Sequence, residues 1–235
     1  MTRSPKASLA ILLALTAAAP AAAPAAAADL VSRGRAAPQP PVAQPFQRFY
    51  LHAGPAGLVY SESARMWAGG MRIPGADVRI PNSLSFAVEA GYFLTPSFAI
   101  GFAGGYPPLV KVEARGSITG LGTLGKVSGG PTALTAQYHF TGLGAFQPYL
   151  GVGPSLMVIV NDQDGAVRRL KTDHALGVAV QAGFNYMMSE HWGVFIDAKK
   201  VFLEAKTRGT LGGVPIRAKV KLDPLVLHSG VTYRF

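Results

Sequence analysis

Leu176-Gly177-Val178-Ala179-Val180-Gln181-Ala182-Gly183-Phe184-Asn185-Tyr186 changes character at every residue. Leu176, Val178, Val180, Ala182, Phe184 and Tyr186 fall on one side, and Gly177, Ala179, Gln181, Gly183 and Asn185 on the other. A period of two places successive side chains on opposite faces of a β-strand. Leu84, Phe86, Val88, Ala90, Tyr92 and Leu94 repeat the pattern against Ser85, Ala87, Glu89, Gly91 and Phe93. Trp192, Val194, Ile196 and Ala198 do so against Gly193, Phe195, Asp197 and Lys199. One row is wholly apolar; the other is small residues with isolated polar groups. In a soluble sandwich the apolar row would turn inward, whereas in a small membrane barrel it faces lipid and the mixed row fills a crowded lumen.

Working outward, the period predicts eight strands, at 48–60, 83–94, 98–112, 131–140, 147–160, 173–187, 192–206 and 216–235. An even number suits a closed bacterial barrel. The connections differ in length, with long ones at 61–82, 113–130, 161–172 and 207–215 and tight ones at 95–97 and 188–191. Long loops on one rim and short turns on the other are the habit of outer-membrane barrels. Tyr92, Phe98, Tyr138, Phe140, Phe146, Tyr149, Phe184, Tyr186, Trp192, Tyr233 and Phe235 all fall beside the short turns or the C-terminus, as an interfacial girdle would. Helical spans are the competing membrane reading, because 127–161 contains no Asp, Glu, Lys or Arg. Gly144, Pro148, Gly151, Gly153 and Pro154 in its most apolar part exclude a spanning helix. The fold class expected is all-β, an eight-stranded antiparallel transmembrane β-barrel.

Composition agrees. Of 235 residues only 14% are charged, against roughly 25% in ordinary soluble domains. With no Cys, the chain has no disulfide, thiolate metal site or cysteine nucleophile. Arg3 and Lys6, then an apolar run from Ala7 to Ala19, then Ala26-Ala27-Ala28, have the three parts of a secretory signal peptide over 1–28. Pro38, Pro40, Pro41 and Pro45 mark 29–47 as an extended periplasmic leader, which leaves the barrel to 48–235. The formal net charge is +10, or +8 without Arg3 and Lys6 of the leader, and that remaining excess lies on the long connections, most of it between Lys199 and Asp223. Such a basic outer rim would meet the phosphates of lipopolysaccharide among outer-membrane lipid. Export disfavours nucleic acid, the usual partner of so basic a chain.

The last strand ends His228-Ser229-Gly230-Val231-Thr232-Tyr233-Arg234-Phe235. Its Gly230, Tyr233 and Phe235 resemble the assembly signal that outer-membrane barrels present to the barrel-insertion machinery. Leu134-Thr135-Ala136-Gln137-Tyr138-His139-Phe140, Gln147-Pro148-Tyr149-Leu150-Gly151-Val152-Gly153, the alternating stretch 181–186 before Trp192, and Leu222-Asp223-Pro224 sharpen this resemblance to the OmpW family, over about 82–235. The resemblance implies a bacterial outer-membrane barrel with a narrow hydrophobic lumen and a passive route for small hydrophobic molecules. The alternative is a structural or adhesion barrel that carries nothing. Met66, Trp67 and Met71, in an apolar first connection, would serve a solute mouth and a binding loop equally well.

By parity the lumen should hold Glu89, Phe93, Gln137, His139, Gln181, Asp197, Lys199, His228 and Arg234, whose two acids and two bases can pair. A wall exit for a hydrophobic solute could lie at Pro154, which cannot donate to the ladder. Catalysis is not expected: adjacent His228 and Ser229 point to opposite faces. Nor is a cofactor or metal, since Gly120-Leu121-Gly122-Thr123-Leu124-Gly125 has no helix to follow it and the five His lack ligand spacing.

Overall fold

The computed structural model describes residues 46–235, so the leader expected at 1–28 and all but the end of the segment 29–47 lie outside the described residues. Strands form where the period of two predicts them, and eight close into an antiparallel barrel. In chain order these are β1 (Phe49–Val59), β5 (Ser83–Phe93), β6 (Phe98–Gly105), β8 (Thr123–His139), β9 (Phe146–Asp164), β11 (Ala175–Met187), β12 (Trp192–Leu211) and β14 (Leu225–Arg234). Each pairs with the next, and β14 closes on β1 from Tyr50↔Arg234 to Val59↔Leu225. At the closing seam Gly54 and Gly230 stand so near that a Cβ on either would meet the opposite carbonyl at about 2 Å.

A membrane strand needs about 9–11 residues. With 17, 19 and 20 residues, β8, β9 and β12 overshoot that length. Their upper halves carry six further strands where sequence reading expects loops or strand ends: β2 (Ser63–Ala68), β3 (Met71–Ile73), β4 (Ala76–Arg79), β7 (Leu109–Gly116), β10 (Arg168–Thr172) and β13 (Val214–Lys221). The strand expected over 98–112 is two, because Pro107 and Pro108 donate no hydrogen bond and divert the chain between β6 and β7. The one expected over 216–235 also divides, at Asp223-Pro224, where Asp223 turns through a φ of 33°.

The extension has two walls, β3-β2-β13-β12-β10 and β4-β7-β8-β9. Carboxylates stitch their seams. Asp77 accepts the Ala64 N–H at 2.8 Å and Glu62 accepts that of Ile80 at 3.1 Å, joining β2 to β4. Asp164 accepts the N–H groups of Arg169 and Leu170, both at 3.0 Å, and Asp162 accepts that of Thr172 at 3.0 Å, joining β9 to β10. The two N–H donors, Leu170 first, hold the Asp164 carboxyl below the usual carboxylate range.

Outside, the apolar rows form a band exposing large side chains such as Leu84, Phe86, Val178 and Ile196. Phe49 against Tyr92, Phe98 against Tyr138, Phe146 against Phe184, and Trp192 against Tyr233 ring its short-turn end. Tyr149 is a correction to the girdle expected: it is buried inside the barrel, because its neighbour Leu150 takes the lipid side.

Candidate functional site

The inward row of the barrel's lower half is filled by polar and aromatic side chains. Small residues opposite make the room: a Cβ at Gly91 would strike the Tyr50 ring at 1.9 Å, and one at Gly183 would strike that of Tyr149 at 2.7 Å. At the centre Lys199 Nζ donates to Glu89 Oε2 at 3.0 Å and to Asp197 Oδ1 at 3.2 Å. Gln181 Nε2 donates to Asp197 Oδ2 at 2.7 Å and to Glu89 Oε2 at 3.1 Å. Gln137 Nε2 donates to Glu89 Oε1 at 2.7 Å and to Thr135 at 3.0 Å, and the Thr135 hydroxyl donates to Gln181 at 2.9 Å. The Tyr149 hydroxyl donates to Asp197 at 2.9 Å, and that of Tyr50 lies 2.8 Å from Glu89 and 2.7 Å from Gln137. One cation thus bridges two buried carboxylates whose other lone pairs are occupied, the arrangement that makes a buried charge tolerable.

Rings close the plug below. His52 stacks on Phe195 at 4.2 Å, His139 on Tyr149 at 4.8 Å, and Phe93 meets His139 edge-on at 4.8 Å. The Arg234 guanidinium lies 5.1 Å over Phe93 and hydrogen-bonds Gln147 rather than a carboxylate. His228 lies at the top, its Nε2 3.1 Å from the Ala87 carbonyl. The structure therefore brings Glu89, Gln137, Gln181, Asp197 and Lys199 into one cluster, with His139, Phe93 and Arg234 beneath and His228 above. Tyr50, His52, Thr135, Tyr149, Asn185, Phe195 and Thr232 are buried with them, beyond the nine residues that parity assigns to the lumen. Parity along 48–60 would have found Tyr50 and His52.

Above the plug the same inward rows turn apolar. A cavity of about 70 Å³ is lined by Tyr60, Met66, Val78, Ile80, Val112, Leu124, Met157, Val167, Ala205 and Ile216 among others. A second, of about 50 Å³, rests on Asp197, Lys199 and His228 and reaches the wall at Gly104, Gly105, Tyr106, Pro108, Gly130 and Pro131. There the ladder lapses. Between Ala103↔Ala133 and Leu109↔Ser128 no pairing engages Gly130, Pro131 or Thr132 with β6 or β7. Pro154 pairs with Val178 inside an unbroken β9–β11 register, but towards β8 the ladder skips it, running to Ala133↔Ser155 and resuming in the same register at Ala136↔Val152.

Met66, Trp67 and Met71 do not gather at one site. Met66 faces the apolar cavity, Trp67 takes the outer face of the same strand, and Met71 stands 77% exposed at the β2–β3 turn. At the C-terminus Tyr233 packs between Trp192 and Phe235, Phe235 is exposed, and Gly230 lies at the closing seam.

Comparison with known proteins adds four findings. The OmpW family profile matches residues 47–235. The uncharacterized outer-membrane protein y4mB of Sinorhizobium fredii is 40% identical over 169 residues, 69% of this chain and 71% of that protein. The dibenzothiophene metabolism operon protein PahQ of Pseudomonas aeruginosa is 31% identical over 184 residues, 77% and 86% of the two chains. In fold, the crystal structure of the outer membrane protein OprG from Pseudomonas aeruginosa superposes with a TM-score of 0.75 at 22% identity, covering 80% of this chain and 96% of OprG.

Proposed function

The chain belongs to the OmpW family of outer-membrane proteins, and on that footing we propose that it is a passive route for small hydrophobic molecules that leads sideways rather than straight through. One observation carries the reading: above a hydrogen-bonded polar plug lie two cavities with no lining residue in common, an upper apolar one and a lower one that rests on Asp197 and Lys199 and reaches a break in the wall. The packed ion cluster of Lys199, Glu89 and Asp197 bars the axis to a hydrophobic solute, which would have to shed apolar contacts and separate paired charges to pass. Moving sideways instead, the solute would pass from the upper cavity at Met157 and Ile159 into the lower one and leave between Gly104, Pro108 and Pro131, over the charged floor of Asp197 and Lys199 rather than through it. Met66 belongs to this path; the nine lumen residues from Glu89 to Arg234 form or flank its floor. A relative named for a dibenzothiophene metabolism operon fits a hydrophobic cargo. Gly230, Tyr233 and Phe235 we assign to recognition by the insertion machinery.

Gly104 and Thr132 provide the test. A Cβ at Gly104 would lie 3.6 Å from Thr132 Cγ2, so a cysteine pair at these two positions spans the break in a chain without native Cys. In liposomes holding Gly104→Cys/Thr132→Cys, oxidation should slow uptake of a small hydrophobic solute to the rate of empty liposomes, and reductant should restore it. Equal uptake in both redox states would remove the wall exit. If the folded wild-type barrel, identified by heat-modifiable gel mobility, accelerates neither a hydrophobic nor a hydrophilic solute, the adhesion or structural reading replaces transport.

A further inference from the structure

On the outward face of β2, β13, β12 and β10, cations are set opposite cations. The register aligns Lys206 with Lys219 and Lys219 with Arg65. One row further from the lipid band it aligns Lys171 with Arg208, Arg208 with Arg217, Arg217 with Trp67, and Trp67 with Arg72. Residues directly opposite across antiparallel strands are near neighbours on one face, so these like charges repel. Only two carboxylates answer them: Glu204 binds Arg65 at 3.0 Å and Asp173 lies 3.5 Å from Arg208. Lys206, Arg217 and Lys219 are exposed and make no ion pair among the described residues. The opposite wall obeys the contrary rule on β4 and β7, where Arg79 faces Glu113 and Asp77 faces Arg115.

The basic face is also concave: Trp67, Lys206, Arg208, Arg217 and Lys219 line a broad groove. It has a fixed height as well. Along β12 the outward row runs from Val194 and Ile196 in the lipid band past Lys200, a half-buried cation whose ammonium hydrogen-bonds the Asp223 carbonyl, and Phe202 to Glu204, Lys206 and Arg208. The exposed cations therefore begin where the apolar surface ends, at the level of lipid headgroups, and Trp67 is a residue type that favours that interface.

We propose that this groove is a binding site for the phosphorylated glycolipid of the outer leaflet, with Lys206, Arg217 and Lys219 holding its phosphates and Trp67 lying against its sugar. Repulsion among the cations is relieved when phosphates sit between them, and guanidinium and ammonium groups donate charge-assisted hydrogen bonds to phosphate oxygens. The site rests on the outer-membrane placement of the chain and is independent of solute passage, so either can fail alone.

Purified mature barrel in detergent, titrated with lipopolysaccharide and with the same lipopolysaccharide after dephosphorylation, tests it. Lys206→Gln/Arg217→Gln/Lys219→Gln should weaken binding of the phosphorylated form at least about tenfold, since each cation near an anionic lipid surface contributes appreciably. Arg79→Gln/Lys111→Gln/Arg115→Gln, on the opposite wall, should change it less than about twofold. The wild-type protein should bind dephosphorylated material as weakly as the first variant binds the native form. Equal loss in the two variants, undiminished binding after dephosphorylation, or tighter binding of soluble heparin than of lipopolysaccharide would each overturn the proposal. Should the first variant fail to fold by heat-modifiable mobility, Trp192→Phe leaves Trp67 as the sole tryptophan on an intact face. Its emission should then shift to the blue with lipopolysaccharide and not with the dephosphorylated form; no shift overturns the proposal.

Discussion

The lower and upper interiors of the barrel are lined by the same strands yet obey different rules. Along β12 the inward row passes from Phe195, Asp197 and Lys199 to Val201, Leu203 and Ala205, all buried. Along β9 it passes from Tyr149 and Gly151 to Met157 and Ile159. Below, the filling is centred on a network in which Lys199 pairs with both Glu89 and Asp197, so removing one of the three leaves the others unsatisfied. Above, the filling is apolar and loosely packed, so its members can yield. The comparison teaches where a route can form: a rigid polar floor closes the axis below, while above it stand an adaptable apolar cavity and a smaller one at the wall break.

The largest expected effect comes from breaking the floor. Lys199→Met leaves Glu89 and Asp197 buried beside each other without their shared cation. Breaking a buried pair in this way costs about 3–5 kcal/mol. The temperature at which the folded gel band converts to the unfolded one should fall well below that of the wild-type protein. Glu89→Gln/Asp197→Asn/Lys199→Met, which removes every charge at once, should recover most of the loss. If the single and triple variants melt alike, the charges are not what holds the floor.

Filling the chamber should have a smaller effect on stability and a selective one on passage. Ala205 is buried at the cavity wall. Ala205→Phe adds a ring where about 70 Å³ is free, and overpacking of this kind costs about 1–3 kcal/mol. Uptake of a hydrophobic solute into liposomes should drop several-fold, while the melting temperature falls less than for Lys199→Met. Unchanged uptake by the folded variant would place the route elsewhere.

These two interiors were not equally legible in the sequence. The floor could be read by parity, because each of its strands carries an unbroken lipid-facing row such as Leu176 to Tyr186 that fixes which residues turn inward. Tyr149 is harder to place, because its aromatic ring suits an interfacial girdle while its alternation with Leu150 turns it inward. The chamber was illegible for a different reason. Its strands are short, and in the stretch Val214-Pro215-Ile216-Arg217-Ala218-Lys219-Val220-Lys221 the apolar and charged residues alternate as they would in any soluble hairpin. Period two continues from β13 towards β14, and only Asp223-Pro224 marks the break. The β2–β4 and β9–β10 seams cannot be read from period at all, since Asp77, Glu62, Asp162 and Asp164 stand in for backbone partners.

Those seams give the smallest effect and the finest division between the two halves. In the lower barrel neighbouring strands share backbone ladders, whereas β10 is held to β9 by Asp162 and Asp164 accepting three N–H groups. Asp164→Ala should leave the folded gel band and its melting temperature almost unchanged while the Arg169 and Leu170 amides exchange hydrogen faster, with Gly177 to Met187 of β11 unaffected. Acidification should do the same to the wild-type protein. The Asp164 carboxyl titrates below its ordinary value when the seam is made, so the contact is fully present above that ordinary value and is lost as pH falls through the depressed one. Faster exchange of Leu170 at low pH should therefore vanish in Asp164→Ala, which has no proton left to gain there. An acid-dependent gain that persists in the variant would mean that the seam opens through another group. The β9–β10 seam would then owe its closure to a group other than Asp164.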